Sequence, residues 1–243
     1  MSFFTGFNYL FRGMQLLTTP GLRTFVWVPF IVNLLLFGGV FWFLLGEVEQ
    51  WQQAVNDFLP SWLQWLSGFL LPLIIVTMAL FVYFLFTTLA NWILAPFNGL
   101  LSEKVEHYLT QQSAPPTSAL SLLKDVPRVL SREFQKLVYF IPRFFVFALL
   151  FFVLPVFGQL LWFCFTAWVL AIQFSDYPFD NHKIPFASMR RVLSQNPSMA
   201  FGFGTAIALL TFIPIINFIV MPAAVCGSTV MWVESLKDKS DAN

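Results

Sequence analysis

Long apolar runs alternate with short polar connections along this chain. No Asp, Glu, Lys or Arg occurs in residues 24–46, 58–102, 144–175 or 192–233. A helix needs about 20 apolar residues to cross a hydrocarbon core of about 30 Å, so each run is long enough to enter a membrane. Residues 34–37 and 80–86 are apolar on every side, whereas a barrel strand alternates apolar and polar positions. The pattern therefore predicts helices, which satisfy their own backbone groups in lipid. Residues 1–19 follow a different rule. Phe3, Phe7, Leu10, Met14 and Leu17 fall at helical spacing, with Thr5, Asn8, Arg12 and Gln15 between them. That predicts an amphipathic helix lying at the membrane interface.

Composition supports the membrane reading and removes several function classes. Of the residues 58% are apolar and 10% charged, where a soluble domain has roughly 25% charged. The amino-terminal segment carries one basic residue, Arg12, well inside it and no small-x-small site after it, so it does not read as a cleaved signal. Cys164 and Cys226 each lie within an apolar run and read as small hydrophobes. His107 and His182 stand apart in polar connections, so no metal site and no cofactor is expected. The chain has no Gly-x-x-x-x-Gly-Lys-Ser/Thr and no nucleophile–base constellation, which argues against ATP hydrolysis by that route and against an enzyme. No nucleic-acid partner is implied.

Charge placement orients the helices. Arg12 and Arg23 precede the first run, and Glu47, Glu49 and Asp57 fill the next connection without a basic residue. Lys104, Lys124, Arg128, Arg132, Lys136 and Arg143 separate the second and third runs; Lys183, Arg190 and Arg191 separate the third and fourth. Because cytoplasmic loops carry the Lys and Arg excess, the first run leads outward, the acidic connection is external and the second run returns. Pro72 and Pro96 are candidate kinks in that long second helix. The third and fourth runs are interrupted at Leu154, Pro155, Val156, Phe157 and Gly158, and at Ile213, Pro214, Ile215, Ile216 and Asn217. Straight crossings would expose Lys183, Arg190 and Arg191, whereas hairpins that enter partway and return keep all 13 basic residues inside. The predicted fold is an all-α integral membrane protein, forming a single membrane domain. It has an interfacial amphipathic helix at 1–19, two long transmembrane helices at 21–47 and 61–109, and two re-entrant helical hairpins at 134–175 and 199–235. Both termini are then cytoplasmic. Small residues at Gly202/Ala206 and Ala223/Gly227 predict close helix packing, and hairpin tips that need shielding predict a homo-oligomer.

Candidate chemistry lies at the breaks and the helix ends. Irregular backbone at membrane depth survives only when buried in protein or lining a wet cavity, and the tips carry the amides Gln159 and Asn217. Gly21, Leu22, Arg23 and Thr24 open the first spanning helix. A helix start offers unpaired N–H groups, glycine permits close approach and a guanidinium suits an oxyanion. The competing reading has Arg23 anchor the helix end at the headgroups. Arg128, Arg132 and Lys136 lie four apart, predicting a solvated or headgroup-facing basic face, with an anion-attracting vestibule as the alternative. No acidic residue lies within a run; Glu103 is the nearest to one.

Five ordered stretches carry a family resemblance: Pro20 to Arg23; Ala90, Asn91 and Trp92 with 95–101; Lys124 to Arg128; 176–183; and 221–227. On these the chain resembles the CysZ family of bacterial inner-membrane sulfate transporters over nearly its whole length. The resemblance implies sulfate uptake into the cytoplasm for cysteine synthesis, and a fold of two spanning helices with two partly penetrating hairpins. It also implies that Gly21, Leu22 and Arg23 bind sulfate. Some members follow these with a second arginine, where this chain has Thr24. On this reading the partners are sulfate and the lipid bilayer, and Asn33, Asn91, Asn98, Gln159 and Asn217 would line a channel-like or facilitated path. Glu103 and Arg128 are further pore or vestibule candidates. The alternative is a non-transporting membrane scaffold that assists another transporter or a sulfur-assimilation complex.

Overall fold

The computed structural model describes residues 2–111 and 119–241; the side chains at 26, 28–30, 32, 33, 36, 86–96, 119–126, 214, 215, 218, 240 and 241 lie outside that description. Among the described residues the secondary structure consists of helices and short turns, with no strand. Ten α-helices follow in order: α1 (Phe3–Leu16), α2 (Thr24–Gly46), α3 (Val48–Phe58), α4 (Ser67–Thr110), α5 (Ala119–Val153), α6 (Phe157–Asn181), α7 (Phe186–Gln195), α8 (Pro197–Thr211), α9 (Pro214–Met231) and α10 (Lys237–Asp241). Among the described residues, four helical stretches are long and apolar enough to cross a membrane: Ser61–Leu85, Pro127–Val153, Phe157–Asn181 and Ile219–Lys239. The chain is an all-α membrane protein. The share of the apolar window buried within the chain is 0% for Ser61–Leu85 but 78% for Ile219–Lys239, so the last stretch is the core rather than a lipid-facing wall.

The chain divides into two units, residues 27–95 and residues 1–26 with 96–243. In the first, most of the described side chains of α2 and of the start of α4 are exposed, with Trp42 at 82% and Phe69 at 71%. Phe37 and Tyr83 meet ring to ring at 5.8 Å. The acidic connection is a helix, α3, rather than a loop. Its Val48, Trp51, Val55 and Phe58 share one face by spacing, and Val55 is buried. The helix assignment of α4 continues through Pro72 and Pro96.

The second unit holds the core. The helix α1 is amphipathic, but its buried face is Gly6, Tyr9, Leu10 and Gly13, and it packs on α8 and α9. A Cβ at Gly6 would overlap the Met199 carbonyl, one at Gly13 the Ala223 carbonyl, one at Gly202 the Phe3 carbonyl and one at Gly227 the Tyr9 carbonyl. Glycines on both sides let the backbones approach within reach of each other, as in tightly packed membrane helices. The apolar residues Phe4 and Phe11 are left on the outside. Gly202 and Gly227 do mark close packing, and the partner they admit is α1. Tyr9 Oη and Ser235 Oγ share a buried hydrogen bond of 2.7 Å, and Arg12 forks onto Glu234 through two contacts of 2.5 Å. A π-turn at Trp232–Leu236 sets the register of those partners.

Both breaks are tight turns between helices. α5 ends at Val153 and α6 begins at Phe157, with Val156 at φ 70°. The turn closes through Gly158 N–H to the Leu154 carbonyl (2.7 Å) and Phe157 N–H to the Pro155 carbonyl (2.8 Å). Its legs are zipped by rings, Phe147 on Phe165 at 4.7 Å and Phe144 on Trp162 at 5.5 Å. α8 ends at Thr211 and α9 opens on Pro214, a residue that needs no N–H donor at that position. Ile213 and Asn217 N–H groups donate to the Leu210 and Ile213 carbonyls.

Candidate functional site

The turn between α1 and α2 is built around one buried side chain. Leu22 is 4% exposed and belongs to the core cluster that includes Leu17, Leu101 and Val105. Gly21 reaches it with φ at +92°, a conformation that favours glycine, and a Cβ there would meet open space. With Leu22 pinned inward, Arg23 and Thr24 face outward. The N–H groups of Leu22 and Arg23 donate back to the Thr19 carbonyl (3.1 and 3.4 Å), and that of Phe25 to Leu22 (3.0 Å). Pro20 has none to offer. The Gly21 and Thr24 N–H groups have no acceptor among the described residues. Arg23 has no acidic partner among them either. The nearby Lys104 ammonium lies 5.0 Å from the Phe25 ring centre and likewise lacks a carboxylate among the described residues.

The basic face of α5 has a different fate. Arg132 and Lys136 are buried, not solvated. Arg132 Nε donates to Asp176 at 2.7 Å and its Nη1 to the Ile184 carbonyl at 2.6 Å. Lys136 lies 3.3 Å from Asp176 and 2.5 Å from Glu133. Arg128 pairs with Asp180, which also faces Arg132 at 3.3 Å. The headgroup-facing expectation for this face is thus overturned. Asp176 and Asp180 are four apart on α6, so one helix row of carboxylates answers one helix row of cations. Arg128, Arg132 and Lys136 are balanced by Glu133, Asp176 and Asp180, which leaves little local field to draw in an anion. The α5 row was read in the sequence; Asp176 and Asp180 have the same four-residue spacing but were not set against it.

The same segment of α6 reaches α4. Asn98 Nδ2 donates to Tyr177 Oη at 3.1 Å, Asn181 Nδ2 to the Gly99 carbonyl at 2.9 Å, and His182 Nε2 lies 2.8 and 2.9 Å from the two Glu106 oxygens. Lys237 also reaches Glu106 at 3.2 Å. Every polar side chain from Asp176 to His182 therefore has a partner on another helix, and the segment clasps α4, α5 and α6 together.

Of the candidate residues, Asn98 and Arg128 join this clasp, and Glu103 sits 3.8 Å from His107 on the next turn of α4. Gln159 and Asn217 are exposed beside the two tips. The side chains of Asn33 and Asn91 lie outside the described residues. Sequence reasoning assigned no role to Asp176, Tyr177, Asp180, Asn181 or Glu106.

The family model described as sulfate transporter CysZ/etoposide-induced protein 2.4 matches residues 9–222. The chain belongs to this family. The matched region takes in the Gly21 turn and most of the clasp, but ends before Glu234 and Lys237. A CysZ/etoposide-induced 2.4 family protein is described as a transporter, and the long apolar helices fit that description.

Proposed function

We propose that this protein admits sulfate across the bacterial inner membrane for cysteine synthesis, by a channel-like or facilitated route without ATP hydrolysis. Membership of a family described as sulfate transporters supports the substrate. The observation that carries the site is Arg23, an exposed guanidinium with no acidic partner among the described residues, held beside a glycine turn. Sulfate is doubly charged and strongly hydrated, so leaving water requires replacement donors. Arg23 offers a charged fork. The N–H groups of Gly21 and Thr24 and the Thr24 hydroxyl add neutral donors at the positive end of the α2 dipole. Leu22 contributes by anchoring the turn rather than by contact.

The same proposal gives two spanning helices, α2 and α4, with cytoplasmic termini. At about 1.5 Å per residue, α2 extends about 34 Å, enough for the hydrocarbon core. The 15 residues of α8 reach about 22 Å, and the charge-free part of α5, residues 144–153, about 15 Å. On this proposal the shorter leg of each hairpin sets its depth, so both turn back before the far surface even though Phe157–Asn181 and Ile219–Lys239 are themselves long enough to cross. Flux of labelled sulfate into liposomes containing the purified protein tests the function. Uptake faster than in empty vesicles is expected and should fall on Arg23→Ala. Uptake equal to empty vesicles sinks the transport reading and favours a scaffold.

A further inference from the structure

A second set of unneutralised arginines converges far along the sequence from Arg23. Arg143 of α5 lies 3.7 Å and Arg190 of α7 lies 4.3 Å from the centre of the same Tyr139 ring, and Arg190 also stacks on Phe186 at 5.1 Å. Neither has a carboxylate partner among the described residues. Ring faces offset part of the cost of gathering cations, yet two like charges sharing one ring still repel. Arg190 Nε is shielded from solvent and has no hydrogen-bond acceptor among the described residues. A buried donor of that kind calls for an acceptor supplied from outside the chain.

The position says which acceptor. Arg143 is the last charged residue before the charge-free run 144–175. Its Nη1 turns back one helical turn to the Tyr139 carbonyl at 2.7 Å, away from the apolar leg, as arginines do at the edge of hydrocarbon. Trp168 Nε1 donates to Tyr139 Oη at 3.3 Å, which places a Trp and a Tyr together at the same level, as in interfacial aromatic belts. α7 buries Phe186, Met189, Val192 and Leu193 and turns Arg191 outward.

The geometry points to a binding site for the phosphate of an acidic phospholipid headgroup, held by Arg143 and Arg190 beside Tyr139. The shared chemistry is a tetrahedral oxyanion, and the headgroup is the source because the site lies where the apolar leg begins. Native mass spectrometry of the detergent-purified protein, titrated with phosphatidylglycerol and with phosphatidylcholine of matched chains, tests it. Preferential phosphatidylglycerol adducts are expected. They should weaken about tenfold or more in Arg143→Gln/Arg190→Gln and persist in Arg191→Gln. The exposed Arg143→Gln alone, with a smaller loss, covers misfolding of the double variant. Equal binding of the two lipids, or adducts unchanged in Arg143→Gln, overturns the proposal. So does displacement of phosphatidylglycerol by millimolar sulfate, which would make the ligand a free oxyanion.

Discussion

The turn at Gly21–Thr24 and the α5 face of Arg128, Arg132 and Lys136 use the same residue types to opposite ends. On α5 the cations are met by Glu133, Asp176 and Asp180, with Arg132 and Lys136 buried. At the turn, Arg23 stays exposed and without an acid among the described residues. A guanidinium already held by a carboxylate has little to offer a passing anion, because that anion must first displace an equal charge. Basic residues in a transporter therefore divide into those that hold helices together and those that can hold a substrate. Only their acidic neighbours tell them apart.

The largest expected effect breaks the clasp. Asp176→Ala leaves Arg132 and Lys136 buried without their shared acid, which should cost about 3–5 kcal/mol and show as a marked fall in melting temperature in detergent. An unchanged melting temperature would erase the distinction between the two regions. Next, Arg23→Ala should weaken sulfate binding by about tenfold, as for loss of a charge-assisted hydrogen bond, while changing stability by no more than about 0.5 kcal/mol. Loss of folding instead would make Arg23 a helix anchor. Asn98→Ala removes the donor to Tyr177 Oη and should cost about 1 kcal/mol with sulfate flux intact; reduced flux at unchanged stability would move Asn98 from the clasp to the path. The smallest effect comes from Glu106→Gln, which weakens the contacts to His182 and Lys237 and should lower the melting temperature by about 2 °C or less with sulfate flux intact; an unchanged melting temperature would remove Glu106 from the clasp.

Much of the local structure was legible. The 3.6-residue pattern of residues 1–19 reads as a helix, Pro155 and Pro214 mark the ends of apolar helices, and Gly21 before Arg23 marks the turn. The acidic connection escaped as a helix because Glu47, Glu49 and Asp57 drew attention away from Val48, Trp51, Val55 and Phe58. The buried side of α1 was legible in part. Leu10 and Leu17 are buried and Phe7 and Met14 pack on the core as expected, but hydrophobicity gives no hint of Gly6 and Gly13, which close backbone approach puts at the centre of that face.

What the sequence determined by itself is the solvent and the alphabet of local shapes: lipid, helices, breaks, and a basic turn at the head of α2. Those follow from periodicity and from the cost of charge in hydrocarbon, which neighbouring residues decide. What the tertiary structure alone decided is which charges remain available. Arg132 and Asp176 are 44 residues apart, Arg12 and Glu234 are 222 apart, and Arg23 meets no acid among the described residues. A charge is neutralised through space within a few ångströms, and one-dimensional spacing carries that distance only after the helices are placed side by side.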